Sequence, residues 1–97
     1  VKRRDPSRLV DSASGLVDRG TGDVNDLHNY LGLSVPAPEP ERAVVLGEFG
    51  GLGRRVEGHM WKDKGDWDYR KINDRDQLTD AYCELVKNLE VMQGRGL

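Results

Sequence analysis

Apolar positions settle into a clean helical period only over the last quarter of the chain. Leu78, Ala81, Tyr82, Leu85, Leu89 and Met92 recur at three- and four-residue spacing, which lines one face of an α-helix. Asp74 followed by Gln77 is a capping-box variant, and Gly94 is the kind of residue at which a helix stops. The pattern predicts a helix over 75–93 with its stripe packed on a core. Upstream the pattern changes. Arg42-Ala-Val-Val-Leu-Gly-Glu-Phe49 is continuously apolar from Ala43 to Leu46, which reads as a parallel strand covered on both faces. Asp23 to Tyr30 alternates, with Val24, Asp26, His28 and Tyr30 on one side and Asn25, Leu27 and Asn29 on the other. That run is polar for a strand. It suits a strand that lines a site, or an edge strand or irregular loop. Arg8 to Ala13 is a weaker strand-like run between the turn residues Asp5-Pro-Ser and a Gly-rich stretch over 14–22.

Pro36, Pro38 and Pro40 make an extended spacer. Residues 50–73 show no period; they hold five glycines together with Trp61, Trp67 and Tyr69. A loop of that length in a compact domain is functional or disordered, and its aromatic content argues against disorder. The expected organisation is α/β: strands near 8–13, 23–30 and 42–49, a loop over 50–73 and a helix over 75–93. The 14–22 link is short for a parallel crossover. The first two strands are therefore neighbours joined by a degenerate helix, or they pair otherwise.

Composition narrows the function. The chain has 97 residues, about one domain. Its 15 basic and 17 acidic residues nearly cancel, so a clustered basic surface for nucleic acid is not expected. No run approaches the roughly 18 apolar residues of a membrane span. The single cysteine, Cys83, excludes an internal disulfide and a multi-cysteine zinc site. Val1-Lys-Arg-Arg-Asp-Pro6 reads as the last turn of a helix, and Gly94 to Leu97 trails away from one. Both ends suggest a segment of a larger protein; the alternative is a small natural domain without its initiator Met.

Candidate chemistry gathers at strand ends. Glu48 closes the most apolar strand, where α/β barrels place catalytic groups; a structural glutamate bonded to the next loop is the competing role. Tyr30 and His28 share one side of the preceding strand, and a phenol there can hydrogen-bond a carboxylate and hold it ionised. His28 and His59 are too far apart in sequence, and without a third partner, to suggest a metal site, and no cofactor is expected. Trp61, Trp67 and Tyr69 offer flat faces suited to sugar C–H groups or to a partner protein, or fold back on their own strand ends. Gly50-Gly-Leu-Gly53 lacks the Gly-Lys-Ser/Thr ending of a phosphate loop.

Four stretches carry a resemblance. They are Asp5 to Gly15, Gly22-Asp-Val-Asn-Asp-Leu-His-Asn-Tyr30, Arg42-Ala-Val-Val-Leu-Gly-Glu-Phe-Gly-Gly-Leu-Gly53, and Val56-Glu-Gly-His-Met-Trp61. In this order they resemble the catalytic barrel of glycoside hydrolase family 2, in its β-galactosidase-like branch. The resemblance implies a partial (β/α)8 TIM barrel, with this chain supplying strands five to seven and the helix after strand seven. It implies a retaining mechanism, with a nucleophile and an acid/base about 5 Å apart. Glu48 would be the nucleophile and Tyr30 the tyrosine that hydrogen-bonds it. His28, His59, Trp61, Trp67 and, more weakly, Asn29 would lie near a carbohydrate substrate. The family's acid/base glutamate follows an asparagine at the end of strand four, an element with no counterpart here and expected upstream of Val1.

Two functions follow. In one, the chain is part of a retaining glycosidase for β-galactoside-like bonds, inactive by itself because the acid/base is elsewhere. In the other, it is a non-catalytic module that binds sugar or a partner through the aromatic 50–73 loop. The apolar strand and helix faces also lead us to expect that the isolated chain self-associates.

Overall fold

The computed structural model describes every residue except Asp63, Asp66 and Trp67. Among the described residues five elements follow one another: β1 (Val24–Asn29), β2 (Ala43–Phe49), β3 (Leu52–Gly53), β4 (Arg70–Lys71) and α1 (Arg75–Gln93). β1 and β2 form a parallel pair, and β3 and β4 a second, short one. The described residues thus form a small mixed α/β unit with two separate two-stranded sheets and one helix. This corrects the expected barrel share: no continuous three-stranded wall forms, and the described residues close no barrel.

The expected strand near 8–13 is not one. Its residues form bends and extended chain, with too few consecutive apolar positions to fill a pleated face. They still lie along β1: Asp23 N–H donates to the Val10 carbonyl at 2.8 Å, and the Val10 N–H donates to the Asp23 carboxylate at 2.7 Å. Further on, Gly15 donates to the Asp26 carbonyl at 3.3 Å and accepts from the His28 N–H at 3.1 Å. The other two strands and the helix fall where the periodicities put them. The 50–73 segment is not all loop, since β3 and β4 pair across it.

The proline spacer carries the crossover between β1 and β2. It is pinned by Arg42, whose guanidinium bonds both Asp18 oxygens at 2.8 Å and Glu39 at 2.7 and 2.8 Å. Glu39 in turn accepts from the buried Asn25 amide at 2.7 Å. The charges hold Asp18 and Glu39 below the usual carboxylate range, through the Arg42 hydrogen bonds first. This clamp fastens the 18–25 segment to the entry of β2.

The apolar core is small. Val44 and Ile72 are the buried apolar residues, and Asn25 the buried polar one, among those described. β2 is therefore not covered on both faces as its sequence suggests: Val45 and Leu46 are half-buried, and Gly47, Glu48 and Phe49 are exposed. α1 begins as expected, with the Asp74 carboxylate accepting from the Gln77 N–H at 2.8 Å. Its end differs. Gly94 stays right-handed at φ −63°, and Gly96, at φ +102°, makes the left-handed turn. No residue of α1 is buried; Tyr82 is exposed and the rest of the stripe is half-covered rather than core. The exposed area is 7797 Å², against about 5,600 Å² for a compact monomer of this mass. The radius of gyration is 17.0 Å, against about 12.5 Å for a compact domain of this length. Among the described residues, no helix is long and apolar enough to cross a membrane.

Candidate active site

The site lies where β1 and β2 end side by side. The ladder runs in step from Val24 opposite Ala43 to Leu27 opposite Leu46, then skips a residue, so that His28 faces Glu48 and Asn29 faces Phe49. Gly47 is the residue left out. Its N–H donates instead to Asp26 Oδ1 at 2.9 Å. A side chain at Gly47 would overlap that carboxylate, so the bulge needs glycine there.

Five polar groups come together around this face. The Tyr30 hydroxyl donates to Glu48 Oε2. His28 Nδ1 lies 3.4 Å from the same oxygen. On its other side, His28 Nε2 is 3.1 Å from the Ser14 hydroxyl and 3.4 Å from Asp26 Oδ2. Ser14 donates to that Asp26 oxygen at 2.7 Å. The string thus runs from an Asp26 side chain 6% exposed to a Glu48 side chain 54% exposed. The outer end is open to a solute; the inner end is held. The hydrogen bond to Glu48 pushes the Tyr30 phenol up to about 12, with desolvation adding to it. Losing the phenol proton would set two negative groups side by side.

Glycines let these groups come together. Gly15 has φ +84°, and a Cβ there would overlap the His28 ring. Gly51, at φ +63°, is crowded by Tyr69 and Tyr30. Those two rings stack with centroids 3.8 Å apart and planes 10° apart. Tyr69 is therefore an aromatic of the 50–73 segment that folds back on a strand end, and it supports the ring whose hydroxyl meets Glu48.

The other expected residues divide. Asn29 is engaged by the neighbouring turn: its amide donates to Ser34 and its oxygen accepts from the Gly32 N–H. His59 lies in an exposed turn, and Trp61 is 96% exposed. Neither shares a side-chain hydrogen bond with Glu48 or Tyr30. Trp67 lies outside the described residues. Asp26, Ser14 and Gly47 were not singled out from sequence as site residues. The available signal was Asp26 on the same alternating side as His28 and Tyr30, and a glycine between an apolar strand and its terminal glutamate. A cleft of about 260 Å³ opens behind Tyr30, walled by Tyr69, Leu52, Leu85, Glu84 and Asn88 among others. Glu48 is not among its walls, so it is not where a solute would meet that carboxylate. Among the described residues no group of three or more His, Cys, Asp or Glu is placed to hold a metal ion.

No protein-family model matches this chain, and no curated protein is significantly similar to it.

Proposed function

We propose that this chain supplies the carboxylate nucleophile of a retaining glycosidase acting on β-galactoside-like bonds. The observation that carries the reading is the exposed Glu48 carboxylate at a strand end, bonded by the Tyr30 hydroxyl. The sequence resemblance to family 2 glycoside hydrolases points the same way. A nucleophile of this kind must be held and aimed, and a neutral phenol donating to it serves that need. In the reaction, a Glu48 oxygen attacks the anomeric carbon and forms a glycosyl ester. The aglycone oxygen leaves with a proton from a carboxylic acid. That group, now a carboxylate, takes a proton from water, which cleaves the ester and restores Glu48.

The acid/base is a separate residue about 5 Å away. Asp26 is unsuited to that part, because its oxygens already accept from Gly47 and Ser14 and it is nearly covered. The isolated chain is accordingly expected not to turn over glycosides.

A 2-deoxy-2-fluoro-β-galactoside with a dinitrophenolate leaving group needs no acid and traps the nucleophile. The native protein that carries this chain is expected to gain one fluoroglycosyl group on the peptide containing Glu48, and none after Glu48→Gln. A label on a different carboxylate, or no label, would overturn the reading. Steady aryl-glycoside turnover by the chain alone, abolished by Glu48→Gln, would refute the missing acid.

The exposure of Trp61 favours a second reading, a sugar- or partner-binding module. Saturable sugar binding by calorimetry, lost in Trp61→Ala and kept in Glu48→Gln, would put that reading first.

A further inference from the structure

We infer that Asp26 is a positioning residue that locks the register of β2 and so turns Glu48 onto the face that carries His28 and Tyr30. The argument starts from the pleat. In register, residues opposite one another share a face. Asp26 lies opposite Val45 and Leu27 opposite Leu46. Strict alternation would then put Gly47 on the face of Asp26, His28 and Tyr30, and Glu48 on the other face with Leu27 and Val44. A slip of one residue exchanges the faces. The skip at Gly47 is such a slip, confined to the end of the strand, and it brings Glu48 opposite His28. Bulges redirect side chains in this way and are uncommon between parallel strands.

Asp26 is the group that holds the skip. A bulged residue loses its ladder partner, and its N–H needs another acceptor. Asp26 Oδ1 supplies it at 2.9 Å. The carboxylate cannot easily turn away, because Ser14 donates to its other oxygen at 2.7 Å and the side chain is 6% exposed. A Cβ at Gly47 would overlap the Asp26 carboxylate, so only glycine leaves it this place. His28, leaning on Ser14 and Asp26, then lies within 3.4 Å of the same Glu48 oxygen that Tyr30 bonds. Asp26 touches no solute itself. It acts through the backbone of Gly47.

The inference takes its purpose from the proposed role of Glu48, but its geometry is tested without any reaction. Tyrosine labelled with ¹³C at Cζ reports hydrogen bonding of the phenol at neutral pH. The chain has three tyrosines, and Tyr30→Phe assigns the relevant resonance. Glu48→Gln marks its position without the carboxylate partner. In Asp26→Ala, the Tyr30 resonance is expected to travel the full distance to the Glu48→Gln position. In Asp26→Asn, whose Oδ1 still accepts from Gly47, it is expected to stay near the wild-type position. A merely structural Asp26 predicts no such split between Ala and Asn. The inference fails if folded Asp26→Ala leaves the resonance at the wild-type position, or if Asn behaves as Ala does. Should Asp26→Ala not fold, Gly47→Ala decides. It displaces the carboxylate while keeping its charge, and is expected to move Tyr30 in the same way. Loss of fluoroglycosyl labelling with this pattern intact would remove the glycosidase reading and leave the register lock standing. Labelling without the pattern would remove the lock alone.

Discussion

Glu48→Gln should change the acidity of a tyrosine on the neighbouring strand. Tyr30 donates to Glu48 Oε2, and its phenol is pushed up to about 12 from a usual value of 10.0. The first cause is the hydrogen bond to a carboxylate; burial and the bare charge follow. Glutamine keeps the shape and removes the charge. The Tyr30 midpoint should then fall most of the way back toward 10, with desolvation holding a remainder. At pH 11 the contrast is largest: a phenol with a midpoint near 12 is about one-tenth ionised, and one near 10 about nine-tenths. The assay is the pH titration of the Tyr30 ¹³Cζ resonance, assigned by Tyr30→Phe. The sign for stability also follows. The folded state holds the Tyr30 proton more tightly than the unfolded chain. The contribution is therefore complete below pH 10 and is lost as pH rises toward 12. Glu48→Gln should flatten that alkaline loss. A Tyr30 midpoint that Glu48→Gln leaves unmoved would refute the reasoning, because the charge of Glu48 would then not be what the phenol feels.

Three further outcomes are expected. The Asp18–Arg42–Glu39 clamp should support stability above the ordinary carboxylate range and lose that support as pH falls through the depressed values of Asp18 and Glu39; the urea midpoint of Arg42→Met should then depend less on acid pH than that of the wild type. Val44→Ala removes two carbons from the most buried apolar side chain described and should cost about 2 kcal/mol, read from urea unfolding; a change under about 0.5 kcal/mol would mean that Val44 is not core. The isolated chain should self-associate, because it exposes about 2,200 Å² beyond a compact monomer of its mass; light scattering that held at 10.9 kDa across a hundredfold concentration range would contradict this.

Local pattern was enough to place β1, β2 and α1 within a residue or two. Apolar runs and three-four spacing are properties of adjacent residues, and Asp74 caps its helix with its own side chain. Glu48, Tyr30 and His28 could likewise be singled out as a group, since alternation put two of them on one side and the third closed an apolar strand. Burial was another matter. Ala43 to Leu46 reads as a fully covered strand and the α1 stripe as core. Yet covering depends on what lies opposite, and only Val44 of that strand is buried. The run at 8–13 lies beside β1 without becoming a strand, for lack of a second face to bury.

The sequence by itself determined which segments are extended and which is helical, and it drew attention to Glu48, Tyr30 and His28, because these follow from neighbours along the chain. The tertiary structure alone decided which face Glu48 takes. Strict alternation sends it away from Tyr30, and a one-residue skip at Gly47 brings it back. That skip depends on an N–H of β2 finding a carboxylate of β1, Asp26, 21 positions earlier. Such a hydrogen bond has no periodicity to announce it. It exists only once two strands lie side by side, and it sets the register that makes a site of these residues.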